Sequence, residues 1–243
     1  AEIAARLSGD GGRTWGAPFV LQENVGTQNV MSASFLRERE SGALLFFYGV
    51  KNSVSDMRFY CWRSNDEGES WDEPVLVTPG EAYFVINNAR IVQLRSGRLL
   101  APTGYCQEVW TAGEHFRTVM FYSDDAGRTW HRAPGEVDAP KRGAMEPGVV
   151  ELRDGRVRQI IRTQMGEIWK SYSSDEGLTW DEPRSLGVVA PEAPSTIARI
   201  PTTGDLVLFH NPEAQVGTDH CGPRTPLSVS ISHDEGETWQ RTI

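Results

Sequence analysis

Apolar residues in this chain gather in short runs, interrupted every few positions by glycine, proline and acidic residues. Runs of this length, rich in β-branched and aromatic side chains and bounded by turn residues, predict strands and not helices. The predicted strands are Glu2 to Leu7, Pro18 to Gln22, Ser32 to Leu36, Ala43 to Tyr48, Met57 to Arg63 and Pro74 to Val77. They continue with Ala89 to Leu94, Arg98 to Ala101, Phe116 to Tyr122, Gly148 to Leu152, Val157 to Arg162, Ile168 to Tyr172 and Arg184 to Val188. Thr196 to Ile200, Leu206 to His210 and Leu227 to Ile231 complete the set. Ser96-Gly97-Arg98, Asp154-Gly155-Arg156 and Thr203-Gly204-Asp205 each separate two runs and read as tight hairpins.

One phrase punctuates the runs five times: Ser-x-Asp-x-Gly-x-Ser/Thr-Trp, starting at Ser8, Ser64, Ser123, Ser173 and Ser232. Successive copies are 50 to 59 residues apart, the signature of a repeat architecture with one supersecondary unit per period. Within the phrase, the aspartate can accept backbone N–H groups two residues on, and glycine takes a positive φ without steric cost. The tryptophan restarts a strand and is large enough to plug a small sheet. Each copy is therefore a hairpin turn in a small antiparallel sheet, and radial repetition of such sheets is a β-propeller. Because a catalytic group is needed once and a structural staple in every unit, the five aspartates and tryptophans are read as scaffold.

With the phrase placed between the third and fourth strands of a blade, the first blade has only its last two strands and the fifth stops just inside its fourth. Residues 1–243 are thus expected to form one propeller domain of about four and a half blades, an excerpt incomplete at both ends. The alternative is a compact variant whose ragged ends pair between subunits.

Composition narrows the partners. The net charge of −9 argues against a nucleic-acid surface, and no apolar run reaches membrane-spanning length. Cys61, Cys106 and Cys221 lack metal-ligand spacing and read as buried apolar residues, so no metal or cofactor is expected. Against this acidic background an anionic ligand needs a local group of arginines.

In a propeller the first strands line the central channel, so unrepeated polar residues there are the candidates. Glu146 precedes the fourth blade's first strand, Arg162 ends its second, and Arg224 precedes the third strand of the fifth blade. Guanidinium groups grip carboxylates in a bidentate fork, and a neighbouring glutamate can orient or deprotonate another group. Asn88 and Arg90, in Asn87-Asn88-Ala89-Arg90, enter the third blade and either point into the channel or form a strand-entry turn with a solvated arginine. Tyr105, Trp110, His115 and Phe116 read as an aromatic insertion between second and third strands, either a sugar-facing wall or a packed loop. His210 and His220 read as satisfied loop residues, and Glu151 as a solvated neighbour of Glu146.

The repeated phrases, together with Glu146-Pro-Gly-Val-Val-Glu-Leu-Arg-Asp-Gly-Arg156, Arg162 and the segment Pro223-Arg224-Thr-Pro-Leu, resemble the sialidase (neuraminidase) superfamily and its BNR/Asp-box repeats. The resemblance implies a six-bladed propeller, an extracellular or periplasmic setting, and an exo-glycosidase that cleaves terminal sialic acid or a related acidic sugar from glycoconjugates. Three arginines would hold the substrate carboxylate, and a tyrosine activated by a glutamate would act as nucleophile with an aspartate as acid/base, an exception to the usual two-carboxylate scheme. By position Glu146 resembles the glutamate, Arg162 the second arginine and Arg224 the third. The family's first arginine, its aspartate and its tyrosine fall before the first phrase or after the last and have no counterpart here, so these residues alone are expected to be inactive. Arg199-Ile200-Pro201 matches the first arginine's motif in letters but sits in the fifth blade, where it reads as a strand-one equivalent. The alternative function is a non-catalytic propeller that binds glycans or proteins.

Overall fold

The computed structural model describes residues 1–213 and 224–242. Every regular element among them is a β-strand. Strands β1 (Ile3–Ala5) and β2 (Phe19–Gln22) form an isolated antiparallel ribbon. A meander follows: β3 (Asn29–Arg37), β4 (Leu44–Lys51), β5 (Met57–Ser64) and β6 (Val75–Leu76). After β7 (Tyr83–Val85) comes a second meander, β8 (Val92–Gln93), β9 (Leu99–Cys106), β10 (Arg117–Ser123) and β11 (His131–Val137). The third is β12 (Met145–Glu151), β13 (Val157–Arg162), β14 (Glu167–Ser173) and β15 (Arg184–Val189). The fourth is β16 (Thr196–Arg199), β17 (Leu206–His210), β18 (Ser228–Ser232) and β19 (Gln240–Arg241). Four four-stranded meanders and one two-stranded ribbon are therefore present among the described residues, in the predicted order.

Two expectations need correction. Ala89 to Leu94 is not a strand: only Val92–Gln93 pairs, so Asn88 and Arg90 lie in a loop. Tyr105 belongs to β9 and not to the insertion after it. Strand β7 was not anticipated: it pairs parallel with β5 at Tyr83 and antiparallel with β9 and so merges the first two meanders into one sheet.

The phrases fold into tight turns as expected, but the aspartate bonds a backbone N–H four residues on and not two. In each, the serine hydroxyl donates to the aspartate at 2.7–2.8 Å, and the same aspartate accepts the backbone N–H of the Ser/Thr at 2.9 Å. The residue before the glycine is left-handed as well as the glycine, so the turn has two consecutive positive φ values, for example 60° at Ala126 and 86° at Gly127. The tryptophans differ in burial. Trp130 is 6% exposed and packs edge-on to Phe47 of the preceding blade, whereas Trp15 is 58% exposed.

Blades interlock through the box glycine. Leu45 in β4 lies where a Cβ on Gly127 would come within 3.3 Å, and Leu100 in β9 does the same to Gly177 at 2.9 Å. In the last pair Arg158 in β13 takes the leucine's place, and a Cβ on Gly236 would overlap its guanidinium. Each blade's second strand thus plugs the next blade's turn, which makes the glycine necessary for close approach as well as for φ. Cys61 and Cys106 are buried thiols, with burial pushing Cys106 up to about 11; Cys221 lies outside the described residues.

Candidate active site

Glu146 is inside β12 and not ahead of it. The register shifts between Met145 and Gly148, and Glu146 has φ 40°, so one extra residue is looped out of the ladder. A bulge re-aims its side chain, and a left-handed non-glycine residue stores strain of about 1–3 kcal/mol. Arg162, at the end of β13, pairs opposite Met145 and is therefore brought beside the bulge. Its Nη1 donates to Glu146 Oε2 at 2.5 Å. Ser32 repeats the device: β3 shifts register between Met31 and Ser34, and Ser32 has φ 57°.

Both bulges open onto one cavity of about 180 Å³. Glu146, Arg162 and Arg142 supply its charged wall. Met31, Met57, Tyr83, Val85, Val109, Trp110, Phe116 and Met145 give it an apolar body, with Ser32 and Asn87 adding polar groups. Trp110, in the loop after β9, has φ 67° and is 64% exposed at the rim, while Phe116 is buried. Trp110 and Phe116 of the aromatic insertion thus line the cavity, whereas His115 bonds Asp138 and the Lys141 carbonyl.

Behind the cavity stands a chain of alternating charges. Glu192 is 3% exposed and accepts hydrogen bonds from Arg142 and, at 3.1 Å, from Gln164; it lies 3.7 Å from Arg162. Arg142 also pairs with the buried Glu114. Buried guanidinium groups need such partners, because the desolvation of a charge is recovered only by close opposite charge and hydrogen bonds. None of these partners was singled out in the sequence. One signal was available: Glu192 is an isolated carboxylate in the otherwise uncharged stretch Val188-Val-Ala-Pro-Glu192-Ala-Pro.

The remaining candidates sit elsewhere. Arg90 is 5% exposed, so the solvated-arginine alternative fails. Its guanidinium lies against Gly148, and burial lowers its pKa while the Glu146 charge opposes that shift. Asn88 donates to the Ala33 carbonyl at 3.1 Å and ties its loop to the β3 bulge; it does not line the cavity. Arg224 is exposed ahead of β18 and is not among the lining residues. Arg199 ends β16, as a strand-one residue should, and grips Glu235 with both Nη atoms at 2.8 Å. Glu151 is tethered to Arg95 at 2.9 Å and not merely solvated. His210 is buried beside Ser230 at 3.0 Å; His220 lies outside the described residues.

A carboxylate and a guanidinium set side by side in an apolar recess can bind an anion and accept a proton. Comparison with known proteins fits that chemistry. The family of BNR repeat-like domains matches residues 1–243. The chain belongs to this family, within the sialidase superfamily. The sialidase of Micromonospora viridifaciens is 26% identical over 98% of the chain, which spans 40% of that protein's length. Among solved structures, the Hadza microbial sialidase Hz136 superposes with a TM-score of 0.77 at 19% identity, covering 98% of this chain and 51% of its own. Trypanosoma rangeli sialidase in complex with the inhibitor DANA gives 0.71 at 21% identity, covering 99% of this chain and 43% of its own. At these identities the structural matches establish the sialidase propeller fold alone. No helix among the described residues is long and apolar enough to cross a membrane.

Proposed function

We propose that this BNR-repeat chain contributes the fourth-blade half of the active site of a six-bladed exo-glycosidase of the sialidase type, acting on terminal sialic acid or a related acidic sugar. The observation that carries the reading is the Glu146–Arg162 pair at 2.5 Å on the wall of an otherwise apolar cavity. Arg162 grips the substrate carboxylate; being held between Glu146 and Glu192, it is oriented before substrate arrives. Glu146, displaced from Arg162 by that carboxylate, accepts the proton of a hydroxyl nucleophile supplied from outside these residues. The apolar wall from Met31 to Phe116 takes the uncharged substituents of the sugar. Arg90 places a guanidinium behind Glu146, while Asn88 holds the loop that carries Asn87.

The test is hydrolysis of a fluorogenic sialoside by the full-length protein, wild type beside Arg162→Ala. Turnover that collapses in the variant while the melting temperature holds supports the assignment. A well-folded wild type that turns over neither this substrate nor other acidic glycosides overturns it in favour of a glycan-binding propeller.

A further inference from the structure

The repeat itself marks a second site, because one blade departs from the pattern set by the others. Counting back from the box serine, the third position before it is Cys61 in β5, Met120 in β10 and Val229 in β18, but Lys170 in β14. On the neighbouring second strand, the position filled by Leu45 and Leu100 in the two preceding blades is Arg158 in this one. Two apolar positions facing the next blade have thus become cationic in a single blade.

These cations converge on one ring. The Tyr172 centroid lies 4.8 Å from the Arg156 guanidinium, 5.0 Å from Arg158, 5.7 Å from Arg184 and 5.8 Å from Lys170 Nζ. Lys170 and Arg184 stand directly opposite each other on β14 and β15, a like-charge pairing that destabilises a ladder. Two of the four cations are answered: Arg158 by the Tyr172 hydroxyl at 2.6 Å and Glu237 at 3.1 Å, Arg156 by Asp154 at 2.7 Å. The other two are not. Among the described residues, the side chains of Lys170 and Arg184 make neither a hydrogen bond nor an ion pair. Lys170 is nevertheless only 8% exposed, while Arg156 and Arg184 are open to solvent. A lysine whose stem is packed and whose ammonium has no counter-charge, beside an exposed guanidinium, in a chain of net charge −9, is a cradle for an anion.

We propose that the cationic cluster of Lys170, Arg184 and Arg156 around Tyr172 binds a tetrahedral oxyanion, a sulfate or phosphate group. Lys170 supplies a compact point charge and Arg184 a planar fork, and the two together match an anion with several oxygens. The site is separate from the Glu146–Arg162 cavity and stands whether or not that cavity is catalytic.

The experiment is calorimetric titration of the protein with inorganic sulfate and inorganic phosphate, and with glucose 6-sulfate and glucose 6-phosphate, against chloride at matched ionic strength. Wild type should bind at least one pair saturably. Lys170→Met and Arg184→Gln should each weaken binding about tenfold or more, the effect of losing one charge-assisted hydrogen bond. Arg37→Gln, which removes an exposed arginine paired with Glu67 and outside both sites, should bind as wild type does. Methionine is the residue of the equivalent position in the preceding blade, Met120, so Lys170→Met should stay folded, which its melting temperature checks. The better-bound ester identifies the source of the oxyanion, and binding of the ions without the esters assigns the cluster to the free anion. No binding beyond chloride, unchanged affinity in Lys170→Met, or an equal loss in Arg37→Gln would overturn the site.

Discussion

The chemistry of this chain turns on a residue in an unfavourable conformation. Glu146 keeps φ 40° where glycine would be at ease, and it does so beside Arg162. Glu146→Gln should cut turnover sharply in the full-length protein and move the melting temperature by only a few degrees, because Arg162 keeps Glu192 as a counter-charge. Equal loss of both would make Glu146 a structural residue. Trp130→Ala should do the reverse, destabilising by about 3–5 kcal/mol in denaturant titration as a buried aromatic truncation. Glu146 and Arg162 were legible as candidates because they are polar and unrepeated and lie where the first and second strands of one blade meet. Arg142, Glu114 and Glu192 were not, since their meeting depends on a loop fold that brings together residues as far apart as Glu114 and Glu192. Arg90 was legible as a candidate but not in its burial, which depends on the vacant side-chain position of Gly148 across the channel.

At the scale of the element, the box was legible as a turn stapled by its own aspartate, because its hydrogen bonds are local; their span of four residues and the serine's share in them were not. Hydrogen bonds from Thr14 and Ser70, first from hydroxyl and then from backbone N–H, hold Asp10 and Asp66 at about 2. An unfolded aspartate titrates near 3.9, so the folded value is the lower one. The stability these carboxylates contribute is therefore complete above about pH 4 and drains away as pH falls towards about 2. Melting temperature against pH should show that slope, and Asp66→Asn should make it shallower; an unchanged slope would contradict the role. Two strands escaped the sequence reading for physical reasons. β11 contains Pro134 and Gly135, tolerated because it is the outer strand of its blade, and β7 has three residues and so no periodicity to detect.

Across the molecule, the blades are linked by a repeated contact and not by a generic apolar interface. Gly177→Ala meets both a left-handed φ of 88° and Leu100 at 2.9 Å, whereas Gly155→Ala meets a similar φ of 93° with open space around it. The first should destabilise by about 1–3 kcal/mol more than the second in urea titration, the cost of overpacking alone. Equal effects would mean that Leu100 yields freely and that the plug does not hold the blades.

The short strand β7 changes how the molecule should come apart. By hydrogen bonding to β5 on one side and β9 on the other, it makes two blades a single sheet, while the next two blades remain separate sheets. Amide protons from β3 to β11 should then exchange with solvent in one cooperative opening event, and those of the two later blades in events of their own. The Met57, Tyr83 and Val85 side of the cavity belongs to the fused unit and Glu146 and Arg162 to the next sheet. The first partial unfolding of this protein would therefore split the cavity along that boundary and leave the charged wall and the apolar wall on different bodies.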